Sequence, residues 1–140
     1  GSHVAYGYGA CVATIDEKNF VSKMDVAFDV GRVINPKACE GQVEGGTLMG
    51  MGYGVTEDFK MDNGRVVTKY GTLGLLRAKQ RPDITVHFVE KGTPDQMAFG
   101  AKGIGEIASI PMAPAISNAY RHIDKEERRR LPLQHTGYKR

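Results

Sequence analysis

The sequence of 140 residues contains no tryptophan, only two cysteines and no long run of apolar residues. A membrane-spanning helix needs about 20 consecutive apolar residues, and a secretory signal needs a charged start followed by an apolar middle. Neither pattern is present. The formal net charge of +3 is too small to indicate nucleic-acid binding. These absences predict no membrane partner and no nucleic-acid partner, and they favour a cytoplasmic protein.

The two cysteines, Cys11 and Cys39, are far apart and lack the Cys-x-x-Cys spacing of zinc or iron–sulfur sites. The four histidines, at positions 3, 87, 122 and 135, are also scattered. A disulfide between the two cysteines stays open, but free buried thiols are the favoured interpretation. The sequence predicts no metal ion held by protein side chains.

The length and the hydrophobic fraction of 41% are those of one domain with a core of its own. Residues 1–3, Gly-Ser-His, have the composition of a cloning scar and are left out of the fold prediction. Residues 4–140 are therefore predicted to form a single domain.

The first part of the chain has the period of two that is typical of strands. A strand is predicted from Tyr8 to Ile15, and a second from Phe20 to Val30 after a turn at residues 16–19. The two should form an antiparallel hairpin. One face of the second strand would carry Phe20, Ser22, Met24, Val26, Phe28 and Val30.

A glycine-rich helix is predicted next, from Lys37 to about Glu57. Asn35 is a good N-cap, and Pro36 suits the first helical position. Each interior glycine costs up to about 1 kcal/mol relative to alanine, so packing must stabilise this helix. Its glycines allow close approach to a sheet, another helix or a ligand, and are Gly41, Gly45, Gly46, Gly50, Gly52 and Gly54.

Further elements complete an α+β prediction. Asp62-Asn63-Gly64 is a strong signal for a tight hairpin, and residues 84–89 alternate as in a strand. A second helix is predicted from Ile107 to Ile123, with an apolar face made of Met112, Ala115, Ile116, Ala119 and Ile123. The predicted fold has mostly antiparallel strands with two main helices packed on the sheet.

The stretch from Phe99 to Glu106 is rich in glycine and must be a loop, because glycine loses the most backbone freedom on ordering. It would present backbone N–H groups and Glu106 together near a helix start. Taken alone, a glycine-rich turn with a solvated glutamate is the more common arrangement. A phosphate-binding loop is disfavoured, because the P-loop spacing and its Lys-Ser/Thr ending are absent.

Other segments of the sequence favour a functional interpretation of this loop. In chain order they are Asp29-Val-Gly-Arg-Val-Ile-Asn-Pro36, Gly41-Gln-Val-Glu-Gly-Gly46, Gly100-Ala-Lys-Gly-Ile-Gly-Glu106 and Leu131-Pro-Leu133. This order resembles the C-terminal part of the molybdenum-binding subunit of the xanthine dehydrogenase and aldehyde oxidoreductase family, over about Tyr6 to Lys139. The stretch Lys69–Arg77 is most similar to the purine-hydroxylating, xanthine dehydrogenase-like branch.

The resemblance implies that residues 4–140 are a single C-terminal molybdopterin-binding domain, a fragment of a longer subunit. Family subunits are several times longer, and other cofactor-site motifs lie upstream in them. A glycine-containing turn before Leu131, usual in the family, is also absent here.

The resemblance also assigns site residues. It implies that Glu106 is the catalytic base, which removes a proton from a hydroxyl ligand of molybdenum as its oxygen attacks an electrophilic substrate carbon. Gln42 would hydrogen-bond the pterin. The loop backbone would lie along the cofactor at Gly100, Ala101, Lys102, Gly103 and Gly105, with the Lys102 side chain facing either the cofactor or solvent.

The implied function is oxidative hydroxylation of a purine, a related heterocycle or an aldehyde with water. Molybdenum would be held by the pterin cofactor. Electrons would leave through iron–sulfur clusters and often FAD on partner domains or subunits. The remainder of the molybdenum subunit and a small-molecule substrate are the other expected partners, and the fragment by itself is expected to bind no cofactor.

A different class of function is a non-catalytic packing or assembly module of a larger complex. The glycine-rich helix and loop would then serve only contacts between backbones. Substitution of Glu106 separates the two hypotheses, because a packing module does not depend on this carboxylate.

Overall fold

The computed structural model describes residues 6–91 and 96–138. The two main helices and the strands confirm the predicted α+β class. In chain order the elements are β1 (Gly9–Ile15), β2 (Val21–Asp29), α1 (Pro36–Val55), β3 (Met61–Asp62), β4 (Arg65–Val66), β5 (Asp83–Val89) and α2 (Met112–Asp124). Short 3₁₀ turns occur at Ala78–Gln80, Met97–Gly100 and Ile107–Ser109.

The main sheet has the strand order β1-β2-β5. The predicted hairpin is confirmed, because β1 pairs antiparallel with β2. β5 instead runs parallel to β2, with Ile84 opposite Met24. The second hairpin, β3 with β4, turns through Asn63 and Gly64, both at positive φ as the tight turn requires. Antiparallel pairing therefore dominates in the part of the chain that the structure describes.

A β-bulge corrects the predicted core face of β2. The pairing register shifts next to Ile15, which pairs with Val21. Val21 is therefore buried, whereas Phe20 and Ser22 lie outside the core. The rest of the predicted face is buried as expected, at Met24, Val26, Phe28 and Val30.

The bounds of α1 agree with the prediction to within two residues. The Asn35 side chain accepts a hydrogen bond of 3.1 Å from the Ala38 N–H, and Pro36 occupies the first turn. This cap satisfies one of the N–H groups that every helix start leaves unpaired.

Glycines at every fourth position let α1 lie directly on the segment before α2. A Cβ at Gly46 would be 2.6 Å from the Ala108 Cβ, and one at Gly50 would be 2.4 Å from the Ser109 carbonyl oxygen. Gly54 faces the start of α2 in the same way. Of the predicted alternatives, close approach to another helix is what Gly46, Gly50 and Gly54 provide.

The predicted helix from Ile107 to Ile123 is divided in two. A 3₁₀ turn covers Ile107–Ser109, and α2 begins at Met112. Pro114 continues α2 without a break, because it lies in the first turn, where a backbone N–H has no partner inside the helix.

The apolar face predicted for α2 is partly wrong. Met112 and Ile116 are fully buried, but Ile123 is 60% exposed. Tyr120 takes the buried position one turn after Ile116, and its hydroxyl donates a hydrogen bond of 2.7 Å to the Asn19 carbonyl. The predicted members Ala115 and Ala119 are only half-buried.

Both cysteines are free, as predicted, although half-buried rather than buried. Burial raises the pKa of Cys11 to about 11, so its thiol stays protonated at neutral pH. Within residues 6–91 and 96–138, neither helix combines the length and apolar composition needed to cross a lipid bilayer. The same residues contain no cluster of three or more His, Cys, Asp or Glu side chains arranged to hold a metal ion.

Candidate functional site

The site lies where the first half of α1 meets the loop that precedes α2. The side-chain Nε2 of Gln42 donates a hydrogen bond of 2.8 Å to the carbonyl oxygen of Gly105. The next residue is Glu106, whose side chain is exposed to solvent. Two predicted site residues from distant parts of the sequence, Gln42 and Glu106, are therefore neighbours.

An open cavity of ≈ 570 Å³ lies where α1 meets the loop. Gln42 of α1 and Glu106 of the loop both line it. The cavity is lined by Gln42, Gly45, Gly46, Met49, Gly105, Glu106, Ser109 and Ile110. A carboxylate thus faces a space large enough for a sizeable ligand.

Some glycines near this cavity border open space, unlike the packing glycines of α1. A Cβ built at Gly41 or Gly45 would meet no atom within 4 Å. The same holds at Gly103 and Gly105 in the loop. Packing does not require glycine at these four positions, so their backbone is accessible to a ligand. Gly45 and Gly105 line the cavity itself.

The second half of the loop also offers hydrogen-bond donors. In the described part of the chain, the backbone N–H groups of residues 103–106 have no hydrogen-bond partner. Unpaired N–H groups next to a helical turn favour polar or anionic ligand atoms. The chemistry available here is a row of donors, one amide side chain and one carboxylate.

The first half of the loop is used differently. The Arg32 N–H donates to the Gly100 carbonyl at 2.8 Å, and the Lys102 N–H donates to the Val30 carbonyl at 3.0 Å. Gly31 has a φ of 61°, and a Cβ on it would lie 2.1 Å from the Gly100 oxygen. The start of the loop is therefore fixed against the residues that follow β2.

The Lys102 side chain is paired within the protein. Its ammonium lies 2.5 Å from the Asp29 Oδ2 atom. The Oδ1 atom of Asp29 accepts the Gly31 N–H at 3.0 Å. The hydrogen bond from Lys102 holds the pKa of Asp29 below its usual value, so the carboxylate is charged at neutral pH.

The structure thus divides the predicted site residues into two groups. Gln42, Gly105 and Glu106 line the cavity, and Gly103 lies two residues before Gly105. Gly100, which is buried, and its neighbours Ala101 and Lys102 lie at the fixed start of the loop.

Sequence reasoning missed the roles of Gly45, Met49 and Asp29. Helical spacing places Gly45 and Met49 on the same side of α1 as Gln42, so that periodicity was a usable signal. No local pattern indicates that Asp29 would bind Lys102, which is far away in sequence.

Comparison with known proteins is consistent with this geometry. Residues 1–82, more than half of the chain, match the family described as "Molybdopterin cofactor-binding domain". Glu106 lies beyond the matched residues, so this match does not test its role.

Comparison with individual proteins indicates the same family. A probable xanthine dehydrogenase subunit of Bacillus subtilis (strain 168) is 30% identical over 125 residues, which cover 85% of this chain and 17% of the relative. A putative xanthine dehydrogenase molybdenum-binding subunit of Escherichia coli (strain K12) is 36% identical over 108 residues, 75% of this chain and 14% of the relative. The chain therefore spans less than a fifth of these relatives.

The fold also matches a solved structure. The aldehyde oxidoreductase from Desulfovibrio gigas superposes with a TM-score of 0.71 at 32% sequence identity. The match covers 81% of this chain and 12% of that structure.

Proposed function

The chain belongs to the molybdopterin cofactor-binding domain family, and from that membership we propose that it forms part of the active site of a molybdenum hydroxylase. The proposed reaction is the oxidative hydroxylation, with water, of a purine or related heterocycle or of an aldehyde. The observation that carries the proposal is the Gln42–Gly105 hydrogen bond, because it sets Glu106 beside a cavity bordered by open glycines.

The residues at the cavity fit a molybdenum–pterin cofactor. A pterin is flat and rich in nitrogen and oxygen atoms, so it needs backbone without side chains and several hydrogen-bonding groups. Gly45 and Gly105 provide the space at the cavity, and Gly41 and Gly103 lie close to them in the chain. The N–H groups of residues 103–106 provide donors. When bound, the cofactor supplies two-electron redox chemistry at its metal.

Gln42 has two functions in this proposal. Its Nε2 holds the Gly105 carbonyl, while its Oε1 has no hydrogen-bond partner within the described residues. An amide can donate and accept at the same time. Gln42 therefore orients the loop and offers an acceptor to an N–H group of the pterin.

Glu106 acts as the general base. A positioned carboxylate accelerates a reaction by taking a proton from the attacking nucleophile in the transition state. Glu106 accepts this proton at a carboxylate oxygen, which makes the attacking oxygen more nucleophilic toward the substrate carbon. The Gly105 carbonyl is held by Gln42, so the backbone that carries this base is fixed on its N-terminal side.

The surface around the cavity supports a large partner, the remainder of the molybdenum subunit. Met49 and Ile110 line the cavity and are both about two-thirds exposed, at 67% and 69%. Tyr53, one turn after Met49, is exposed as well. Adjacent exposed apolar side chains mark interaction surfaces. Iron–sulfur and flavin partners and a cytoplasmic location stay predictions from the sequence.

The test is Glu106→Gln in the enzyme assembled with this chain. We expect turnover to fall by at least about 10²-fold, the typical cost of losing a general base, with unchanged molybdenum content. Glu17→Gln, an exposed position in the turn between β1 and β2, is the matched control and should keep wild-type turnover.

Near wild-type turnover of Glu106→Gln, with a full molybdenum complement, would contradict the proposal. The alternative function, a non-catalytic packing or assembly module, would then stand. A loss of molybdenum together with turnover would make Glu106 a determinant of cofactor binding instead of a base.

A further inference from the structure

An ion pair joins the loop that carries Glu106 to the end of β2. The Lys102 ammonium contacts Asp29, whose side chain is only 9% exposed, and the Lys102 side chain is 27% exposed. By contrast, Lys23 and Asp25, another pair on β2, are 48% and 30% exposed. A shielded pair is weakened less by water and salt, and removing one partner leaves a poorly solvated charge behind.

Backbone contacts occur at the same place. Gly31 pairs with Ala101 as in an antiparallel sheet, and the two hydrogen bonds between Arg32 and Gly100 and between Lys102 and Val30 flank this pair. Asp29 also accepts the Gly31 N–H, so one carboxylate holds both strands of the contact. The side-chain ion pair and the backbone pairing therefore stabilise each other.

The loop has a second point of attachment at Gly105, through Gln42. Only Gly103 and Ile104 lie between Lys102 and Gly105. Fixing both ends of so short a segment restricts where Glu106 can be placed.

We propose that Lys102 is a positioning residue, which together with Asp29 fixes the start of the loop so that Glu106 is held at the cavity. The proposal rests on the proposed function in treating Glu106 as the base. Lys102 then acts through the loop backbone and makes no contact with cofactor or substrate. Gly105, which lines the cavity, places no side chain in it.

The test measures amide hydrogen exchange by NMR in the 140-residue chain. Lys102→Met keeps the length of the side chain and removes the charge. We expect the amides of Arg32 and of residue 102 to exchange at least about tenfold faster, because a hydrogen bond to a charged group is lost. The amide of Val26, in the core of β2, should exchange at the wild-type rate.

Three further variants sharpen the test. Lys102→Arg keeps a cation that can reach Asp29, so it should restore slow exchange. If Lys102→Met acted only through lost packing, the arginine would not restore it. Asp29→Asn keeps an acceptor for the Gly31 N–H but removes the ion pair, and it should reproduce the effect of Lys102→Met. Lys23→Met breaks the exposed pair on the same strand and should change neither amide.

Unchanged exchange at Arg32 and at residue 102 in Lys102→Met would overturn the proposal. Equal acceleration at Val26 would also overturn it, because the pair would then stabilise the whole domain and not the loop. Failure of both Lys102→Met and Asp29→Asn to fold would have the same meaning. None of these readouts uses turnover, so they stand apart from the result for Glu106→Gln.

Discussion

Gln42 donates a side-chain hydrogen bond to the carbonyl of Gly105, a residue 63 positions later in the chain. The bond connects the first half of α1 to the residue immediately before Glu106. Both partners are exposed, so the bond contributes little to the stability of the fold. Its main effect is on the position of the loop.

Gln42→Ala is expected to weaken cofactor retention more than folding. In the assembled enzyme the variant should lose most of its bound molybdenum and pterin, because both the acceptor and the bond to Gly105 are removed. The free energy of unfolding of the chain should fall by only about 1 kcal/mol. Elemental analysis and urea denaturation measure the two quantities. Lys37→Ala, at an exposed position of the same helix, is the control. Full molybdenum content together with a large loss of stability in Gln42→Ala would favour a packing role for Gln42.

Two glycines of α1 are expected to respond in opposite directions to alanine. Gly50→Ala should destabilise the chain by about 2 kcal/mol, because its Cβ would overlap the Ser109 carbonyl and backbone must move. Gly41→Ala should stabilise it by up to about 1 kcal/mol, because the space is open and alanine favours helix.

Urea denaturation of both variants checks the stabilities. In the assembled enzyme, Gly41→Ala should nevertheless contain less molybdenum, because the added methyl group occupies space that the proposal gives to the pterin. A Gly41→Ala enzyme with full molybdenum content would remove Gly41 from the cofactor site.

Arg128 holds the end of α2 to the tail that follows it. Its guanidinium bonds both carboxylate oxygens of Asp124 and the carbonyls of Gln134 and His135, and it lies 5.0 Å from the centre of the Tyr120 ring. Because its side chain is only 2% exposed, Arg128→Met should cost about 2 kcal/mol of unfolding free energy.

Arg129→Met is the matched control for that substitution. The Arg129 side chain is 86% exposed, so its loss should change stability by less than about 0.5 kcal/mol. Equal midpoints of urea denaturation for the two variants would contradict the role given to Arg128.

The ion pair between Arg128 and Asp124 predicts that stability depends on pH. The hydrogen bond from Arg128 lowers the pKa of Asp124 from its usual value of 3.8 to about 2. A lowered pKa stabilises the folded state at pH values above 3.8, and this contribution is lost as the pH falls toward about 2. Urea midpoints measured across this range should therefore fall more steeply in the wild type than in Arg128→Met, and parallel curves would contradict this.

Local sequence patterns were sufficient to predict most helices and strands of the fold. Alternation predicted β1, β2 and β5, and Asn35-Pro36 predicted the start of α1. These signals depend on residues close in sequence, which is why they could be read from the chain alone. The resemblance to the family predicts that Gln42 and Glu106 share one site, and in the structure the two residues are neighbours.

Features that depend on distant residues were not predictable in this way. Alternation in β5 indicates a strand but does not say that its partner is the parallel β2. The bulge at Ile15 moves Val21 into the core without any pattern in β2 itself. Tyr120 was not expected in the core, because its burial depends on the Asn19 carbonyl and on Arg128, which lie on other segments.

The attachment of the loop at Lys102 and Gly105 limits how far Glu106 can travel. Consecutive Cα atoms are about 3.8 Å apart, so the two unattached residues limit the distance between those points to about 11 Å. The loop therefore cannot swing open as a lid unless the contacts of Lys102 or the bond from Gln42 break first. In the proposed enzyme, Glu106 therefore stays near its present position, and other parts of the enzyme control the access of a substrate to it.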